Sequence, residues 1–478
     1  MTSADLSLWA RVLFFSEWAI RLVMLAVVPF RRTPAAAKGW LLLIFFEPWV
    51  GLVLYLLIGR AKLPRWRRRQ VAKLPQAMAP VRARLANHPN VFHPEVGPAL
   101  APAVTLAENL GQMPILGGNE VELLVDYGAT IARLVADIDR AENHVHLLFY
   151  IFADDDATAP VIEALGRAAK RGVRCRVLAD AIGSHSALRT LAPKLTALGV
   201  VVHGMLPVRF FPWKMTRLDL RNHRKIAVID GRVGYTGSQN LIAANFKEGL
   251  TFEELMVRLT GPIVLELQFV FAADWFLETG EVLGGEEEFP GPQIVGGVPA
   301  QALPSGPDFP TQNNQRLIVA LVHGAHKRVV LTTPYFIPDE PLLQALQTVR
   351  LRGVDVHLVV SEKVDHVLVA LAQQSYYEEL LEAGVQIHLY RKNFLHAKHL
   401  SIDDSVALIG TSNLDIRSFV LNAELMLMIC DPGLVAQLAA EQERYFANCR
   451  LLTLSTWQAR SFGRKFAQNL ARLLSPLL

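Results

Sequence analysis

Cysteine is scarce in this sequence of 478 residues, which contains only three. Cys175, Cys430 and Cys449 lie far apart and have no Cys-x-x-Cys spacing, so the sequence predicts neither a disulfide framework nor a cysteine-based zinc site. Isolated cysteines usually serve as small buried apolar residues, which favours a reducing compartment for most of the chain. The glycine-rich lysine loop that binds nucleotide phosphates is also missing, so we expect no nucleotide cofactor.

Charge is sparse as well. Charged residues make up 19% of the chain against 51% hydrophobic residues, the net charge is +4, and the mean hydropathy is +0.26. No basic stripe interleaved with aromatic residues is present, so we expect no nucleic-acid partner. The apolar composition instead indicates that the chain contains membrane segments.

Two apolar segments open the sequence. Residues 7–30 are mostly apolar but contain three charged residues, and residues 39–59 contain one. A membrane span needs about 20 apolar residues, which the second segment provides well and the first only marginally. The sequence therefore predicts a pair of transmembrane or re-entrant helices within residues 1–62, with buried core helices as the alternative.

A basic cluster follows the second apolar segment directly. Its members are Arg60, Lys62, Arg65, Arg67, Arg68, Arg69 and Lys73. The turn between the apolar segments carries fewer basic residues, and the more basic flank of a span normally stays in the cytoplasm. We therefore expect a multi-pass protein whose chain after residue 60 faces the cytoplasm, with the basic cluster close to anionic lipid headgroups.

The rest of the chain contains an internal repeat. After a basic juxtamembrane linker at 63–115, residues 116–283 and 311–455 share an order of apolar strand, acidic loop, amphipathic helix and second apolar strand. The two helices are predicted at 159–170 and 340–351, and each ends in Arg-Gly-Val. Such units are typical of an α/β fold in which a mixed or parallel sheet is flanked by helices. A Gly/Pro-rich stretch at 284–310 is interpreted as a linker between the halves.

The repeat is tightest around two copies of a His-x-Lys-x-x-x-x-Asp motif. The first copy reads NHRKIAVIDGRVGYTGSQN from Asn222, and the second reads LHAKHLSIDDSVALIGTSN from Leu395. Further along, the tripeptide Glu-Leu-Met occurs once in each half. Aligning the copies pairs His223 with His396, Lys225 with Lys398, Asp230 with Asp403, Ser238 with Thr411, Asn240 with Asn413 and Glu254 with Glu424.

These side chains suit phosphodiester chemistry. Residues two apart on a strand face the same side, so each histidine and its lysine can reach one ligand. Two imidazoles can share a displacement at phosphorus, in which one attacks and the other protonates the leaving oxygen. Glu254 and Glu424 are expected to orient the rings, with Glu253 as an alternative to Glu254. The residues expected to bind the substrate phosphate are Ser238, Asn240, Thr411 and Asn413.

Two features of the motifs leave alternatives open. His396 and His399 could supply a zinc site, but residues three apart on a strand face opposite sides, so we expect no metal. Asp230 and Asp403 belong to the catalytic motif, yet each follows a strand at a turn, where its carboxylate could bind local backbone instead.

The paired motifs resemble the HKD motifs of the phospholipase D superfamily, and nearly the whole chain resembles the bacterial cardiolipin synthases. The resemblance also rests on SGPD at 305–308, TPYFIPDE at 333–340 and GTSNLDIRS at 410–418. It implies two pseudo-symmetric phospholipase D-like halves with one shared active site, located in the bacterial inner membrane and free of cofactors. It also implies a phosphatidyltransferase that condenses two phosphatidylglycerols into cardiolipin and glycerol through a phosphohistidine.

The same resemblance makes His223 the nucleophile and His396 the general acid, although the pseudo-symmetry allows the reverse. A hydrolytic phospholipase D, or a transferase for another acceptor alcohol, is the alternative on this fold. A non-catalytic scaffold for anionic lipids is disfavoured because both motifs are intact. The expected partners are phosphatidylglycerol, cardiolipin and the membrane, and an oligomer remains open.

The C-terminal segment, residues 456–478, has apolar residues at helical spacing. Phe462, Phe466 and Leu470 belong to this series, and basic residues flank it. The pattern is typical of an interfacial amphipathic helix. A helix packed on the body of the enzyme is the alternative.

Overall fold

The computed structural model describes residues 3–32, 34–57, 59, 63, 65–207, 219–291 and 293–475. The chain divides into two compact units. The smaller unit comprises Met1–Arg65 and Val208–Asp219, and the larger comprises Trp66–Pro207 and Leu220–Leu478.

The described part of the smaller unit contains three helices, α1 (Ser3–Val27), α2 (Pro34–Phe46) and α3 (Pro48–Leu57). The second apolar segment is divided because Pro48 has no backbone N–H with which to continue α2. Among the described residues, no helix is both long enough and apolar enough to cross a membrane. The predicted pair of membrane helices is therefore not confirmed, and Arg60 and Lys62 of the basic cluster lie outside the described residues.

The smaller unit buries few of its apolar side chains. Met24, Val28, Ile44 and Tyr55 form its core. Many large apolar residues of the same helices are exposed, including Trp9, Phe14, Phe15, Trp18, Phe46 and Trp49. Exposed apolar surface of this extent marks an interaction surface.

Three helices precede the first half of the larger unit: α4 (Arg65–Ala77), α5 (Ala79–Ala86) and α6 (Ala101–Gly111). Val81, Leu85 and Val104 bury their side chains in the cores of the halves. The predicted linker at 63–115 is therefore largely helical and part of the folded body.

Arg67 departs from its predicted place among surface cations. Its side chain is buried, its Nη2 lies 3.2 Å from Asp308 Oδ2, and its Nη1 pairs with Glu278. Burial opposes the charged form, but the two carboxylates raise the pKa of the guanidinium above its ordinary value. The expectation that Arg67 faces lipid headgroups is wrong, because its charge is neutralised inside the larger unit.

The first half of the larger unit alternates strands and helices before it ends in antiparallel strands. Its elements are β1 (Leu116–Leu124), α7 (Tyr127–Asp139), β2 (His144–Phe149), α8 (Ala159–Lys170), β3 (Arg174–Asp180), α9 (His185–Ala197), β4 (Val201–Met205), β5 (Arg221–Asn222), β6 (Lys225–Ile229), β7 (Val233–Gly237), β8 (Phe252–Glu253), β9 (Met256–Thr260) and α10 (Val264–Thr279).

The second half repeats this order and adds helices at its end. Its elements are β10 (Val298–Ser305), α11 (Asn313–Gly324), β11 (Arg328–Thr332), β12 (Phe336–Ile337), α12 (Glu340–Leu351), β13 (Asp355–Ser361), α13 (Val367–Gln374), α14 (Tyr377–Glu382), β14 (Gln386–Tyr390), β15 (Phe394–Leu395), β16 (His399–Ile402), β17 (Val406–Gly410), β18 (Leu414–Asp415), α15 (Ile416–Val420), β19 (Asn422–Ile429), α16 (Pro432–Phe446), β20 (Cys449–Leu452), α17 (Leu454–Gln458) and α18 (Phe462–Arg472).

One mixed sheet of 16 strands runs through both described halves. In each half three parallel strands, β2–β3–β4 or β11–β13–β14, adjoin antiparallel strands that carry the motif. The mixed α/β architecture is therefore confirmed. The helices predicted at 159–170 and 340–351 also agree with α8 and α12, and each ends before a glycine at positive φ, Gly172 or Gly353, a conformation that glycine adopts without strain.

β10 corrects the predicted linker at 284–310. It lies in the middle of the sheet, where Ala300 pairs with Leu116 of β1 and with Ile429 of β19. The strand was concealed in the sequence by Pro299 and Pro304, because proline is rare inside a central strand. β10 thus joins the sheets of the two halves.

The C-terminal helix packs one face on the body of the protein and exposes the other, and its binding to a membrane interface stays a prediction. In α18, Gln468 and Ala471 are buried against the body, and Gln468 Nε2 donates to Gln374 of α13 at 2.9 Å. On the other face Phe462, Phe466 and Leu470 are exposed, Phe462 by 83%. Leu477 of the predicted series lies outside the described residues.

Candidate active site

The two motifs meet because each one is fastened to the opposite half. β5 pairs with β19, and the His223 amide donates to Ala423 O at 2.8 Å. β15 pairs with β8, and the His396 amide donates to Glu253 O at 2.8 Å. Both histidines consequently line one cavity of about 500 Å³.

The glutamates pair with the histidines across the pseudo-symmetry. His223 Nδ1 lies 2.9 Å from Glu424 Oε1, and His396 Nδ1 lies 2.7 Å from Glu254 Oε1. A carboxylate at Nδ1 favours the tautomer with its hydrogen there, which leaves the Nε2 lone pair available for chemistry. Each half therefore positions the reactive nitrogen of the other half.

Glu253 has a different set of contacts. Its Oε2 accepts from the Tyr390 hydroxyl at 2.6 Å, and its Oε1 lies 2.5 Å from Arg444 Nη2. The alternative that Glu253 replaces Glu254 is therefore not supported by the geometry.

Burial sets the protonation of the four basic groups. It lowers the pKa of both His223 and His396 to about 4, against the opposing effect of the paired glutamates. Both rings are therefore neutral near pH 7 before a substrate adds its charge. Burial also lowers the pKa of Lys225 to about 7 and that of Lys398 to about 8. Each ammonium donates to its own histidine's carbonyl, at 2.7 and 2.6 Å.

The lysines predict an alkaline limit to catalysis. Because their lowered pKa values lie near 7 and 8, their positive charge is present below this range and disappears as the pH rises through it. We expect kcat/KM, which reports the free enzyme, to fall between pH 7 and 9, by about tenfold per pH unit for each lysine that deprotonates. Steady-state rates from pH 5 to 9.5, with circular dichroism to exclude unfolding, check this. A constant kcat/KM up to pH 9.5 contradicts it.

The predicted phosphate-binding residues divide into two groups. Asn240 and Asn413 line the cavity. Ser238 and Thr411 are fully buried elsewhere: Ser238 Oγ accepts from the Leu255 amide at 2.9 Å, and Thr411 Oγ1 donates to Glu424 Oε2 at 2.5 Å. Phosphate binding by the two hydroxyls is corrected: Thr411 holds the Glu424 carboxylate, and Ser238 holds the backbone of Leu255, next to Glu254.

The motif aspartates also lie away from the cavity. The Asp230 carboxylate accepts from three successive amides, Glu142 to His144, at 2.7 to 2.8 Å. The Asp403 carboxylate does the same for the amides of residues 326 to 328. Both aspartates have positive φ, 53° and 50°. Their assignment as catalytic is corrected: they fasten the turn after the motif strand to the start of its neighbour.

His396 and His399, the candidates for a zinc site, have different surroundings. His396 precedes β16 and lines the cavity. His399, the first residue of β16, is buried elsewhere: its Nδ1 lies 3.3 Å from Gln442 Nε2, and its ring stacks on Tyr445 at 5.9 Å.

Several residues of the cavity were missed in the sequence. Tyr150 contacts the His223 ring edge-on at 4.9 Å, and Tyr335 approaches the His396 ring at 6.5 Å. Tyr150 follows β2 and Tyr335 follows β11, the corresponding strands of the two halves, so aligning LLFYIF with TTPYFI would have found them. The difference between the surroundings of the two histidines was less visible in the sequence. Arg221 lines the cavity with His223, whereas the Phe394 ring lies 6.1 Å from the His396 ring.

The sequence matches a family model described as "Cardiolipin synthase, PLD-like domain" at residues 134–275 and 318–449. Among curated proteins, Cardiolipin synthase A of Pectobacterium atrosepticum is 36% identical, with 98% of each chain covered. Cardiolipin synthase A of Proteus mirabilis is 32% identical over 97% of this chain and 98% of its own. Of the solved structures, phosphatidylserine synthase of Haemophilus influenzae shares the fold, with a TM-score of 0.61 and 17% identity over 79% of this chain and 100% of that one.

Proposed function

Because this chain belongs to the cardiolipin synthases of the phospholipase D superfamily, we propose that its two histidines transfer a phosphatidyl group between two phosphatidylglycerols. The enzyme is a phosphatidyltransferase of that superfamily. The observation that carries the proposed mechanism is the pair of crossed contacts, His223 to Glu424 and His396 to Glu254, around one cavity. Two oriented imidazoles facing one space are what an in-line displacement at phosphorus requires.

In the first half-reaction, His223 Nε2 attacks the phosphorus of the donor lipid. A nitrogen–phosphorus bond forms, and the bond from phosphorus to the oxygen of the head-group glycerol breaks. His396 donates its proton to that oxygen. The anionic phosphodiester supplies the negative charge that favours a protonated His396, which burial otherwise opposes. The nucleophile is assigned through the family resemblance, and the pseudo-symmetry permits the reverse.

In the second half-reaction, a hydroxyl of another phosphatidylglycerol attacks the phosphohistidine. His396 takes the hydroxyl proton, a new phosphorus–oxygen bond forms, and the bond to His223 breaks. Lys225, Lys398, Asn240 and Asn413 stabilise the charge on the phosphoryl oxygens in both steps. One phosphodiester replaces another, so no nucleotide is needed to drive the exchange.

Incubating the purified full chain with labelled phosphatidylglycerol in detergent micelles tests this reaction. We expect labelled cardiolipin and free glycerol in equal amounts. Phosphatidic acid as the main product would instead establish a hydrolytic phospholipase D, and bound lipid without turnover would favour the scaffold.

The proposed substrates place the enzyme at the bacterial inner membrane. Two separate surfaces support this location, the exposed apolar residues of the smaller unit and those of α18. On the larger unit, α18 packs against α13, and α13 also exposes two apolar side chains, Val367 and Leu368. The residues just before and within α13, Asp365, His366 and Val369, line the catalytic cavity, so lipid docked on this surface would lie beside the cavity's rim.

Introducing negative charge on the apolar face of α18 should weaken membrane docking. Replacing Phe462 and Phe466 by glutamate removes two inserted rings and adds repulsion from anionic lipids, so we expect binding to phosphatidylglycerol vesicles to fall by about tenfold or more. Co-sedimentation measures binding, and activity in micelles, where docking matters less, should remain close to that of the parent protein. Leu351→Glu, on the exposed end of α12, is the matched control. Unchanged vesicle binding would exclude α18 as a docking surface.

A further inference from the structure

An arginine that lies outside both motifs lines the catalytic cavity. Arg417, in α15, shares the cavity wall with His223 and Tyr150. Arg417 lies close enough to Tyr150 to oppose the rise that burial causes in the pKa of the Tyr150 hydroxyl. The Tyr150 ring is itself 4.9 Å from the His223 ring. The Tyr150 side chain therefore lies near both the Arg417 guanidinium and the His223 ring, so the guanidinium is close to the reacting centre.

The other arginine and lysine side chains of this wall are already paired. Arg221 Nη1 lies 3.2 Å from Asp180, and Lys247 Nζ lies 2.9 Å from Asp365. Among the described residues, no carboxylate lies within ion-pair distance of Arg417. The nearby Asp415 uses its carboxylate to cap α15, accepting from the Ser418 amide at 2.6 Å.

A guanidinium without a carboxylate partner in such a cavity is suited to a phosphate, which it can bind through two parallel hydrogen bonds. The condensation of two phosphatidylglycerols brings two phosphates into the cavity, and only one of them reacts. In the product both are joined through one glycerol, so the second phosphate lies within a three-carbon bridge of the first. If no cation contacted this second phosphate, the cost of removing its charge from water would oppose binding of the acceptor lipid.

Asn422 provides an uncharged contact on the same wall. Its side chain is 6% exposed and lines the cavity. Asn422 Oδ1 has no hydrogen-bond partner within the described part of the chain. A buried amide oxygen in this position is an acceptor for a hydroxyl group, and the glycerol head group of the acceptor lipid carries one.

We propose that Arg417 binds the non-reacting phosphate of the acceptor lipid and that Asn422 accepts from its glycerol hydroxyl, so that this wall selects phosphatidylglycerol as the acceptor. The inference rests on the proposed function, because a second phosphate enters only when the acceptor is itself a phospholipid. A small neutral alcohol makes no use of Arg417.

Two reactions of the full-length enzyme separate this role from general catalysis. One is cardiolipin formation from phosphatidylglycerol, and the other is exchange of labelled free glycerol into phosphatidylglycerol, which breaks and forms the same bonds without a second phosphate. For Arg417→Gln we expect cardiolipin formation to fall by about 10- to 100-fold while glycerol exchange stays within a factor of about two. Arg417→Lys should recover part of the loss, since it keeps the charge.

Arg140→Gln is the matched control, because Arg140 is 74% exposed and outside the cavity. Equal losses of both reactions in Arg417→Gln would overturn the proposal, because Arg417 would then serve the reacting phosphate or the fold. Unchanged cardiolipin formation would overturn it too. A parent enzyme that exchanges glycerol but makes no cardiolipin would instead refute the proposed function.

Discussion

Replacing either His223 or His396 by alanine is expected to reduce cardiolipin formation by about 10⁴-fold or more. Each ring supplies a step that the other cannot supply from its position, since one attacks phosphorus while the other handles the proton. Residues that act as one unit are not additive, so the double variant should be no slower than the slower single variant. Product analysis from labelled phosphatidylglycerol measures all three rates.

The control is His93→Ala, which alters an exposed histidine of the folded segment before the first half. Near-normal turnover in either motif variant would refute the shared site.

The same variants identify the nucleophile when they are given a donor lipid with a good leaving group, such as a nitrophenyl ester. Such a donor needs no general acid, so the variant that lacks the acid should still become covalently labelled, whereas the variant that lacks the nucleophile should not.

Replacing Glu254 or Glu424 by glutamine should lower kcat by about 10²- to 10⁴-fold while the protein stays folded. Each carboxylate fixes the tautomer of the ring it contacts, and an amide can present its NH₂ to Nδ1 and stabilise the wrong tautomer. Both glutamates are buried, and their rings and lysines hold the pKa of each carboxyl below its ordinary value although burial opposes this. They are therefore ionised at the pH of the assay.

The crossed arrangement makes a sharper version of this test possible. A donor lipid with a good leaving group should restore activity to one histidine variant. It should also restore activity to the variant of the glutamate that contacts that histidine in the parent protein. The crossed contacts predict that the rescued histidine and the rescued glutamate come from opposite halves of the chain. Rescue of a histidine and a glutamate from the same half would contradict the observed pairing. Glu443→Gln, at an exposed glutamate paired with Arg328, is the control.

Much of the active site could be predicted from the repeat in the sequence. Matched spacing in two copies predicted both histidines, lysines, asparagines and glutamates, and the structure brings these side chains to one site. Helices α8 and α12 were predictable because each has a clear apolar period and a glycine stop. The family and the class of enzyme predicted from the motifs are confirmed by the comparisons, whereas the phosphohistidine and the individual roles remain predictions.

Other features could not be predicted, for identifiable physical reasons. The pairing of glutamates across the halves depends on β5 and β15, which are two residues long and too short to show any periodicity. Ser238 and Thr411 have the right chemistry for phosphate binding, and only their burial reveals that they support the glutamates. Arg67 has the sequence context of a surface cation, and its partners Glu278 and Asp308 are more than 200 positions away.

The crossed histidine–glutamate contacts also bear on how this gene can change. A duplicated unit usually tolerates decay of one copy, because the other copy keeps the function. Here a harmful substitution in either copy disables a ring in the other, so neither copy can act as a spare. The paired residues of both halves are therefore expected to be conserved together. Substitutions should accumulate mainly where the halves already differ, such as Arg221 and the corresponding Phe394.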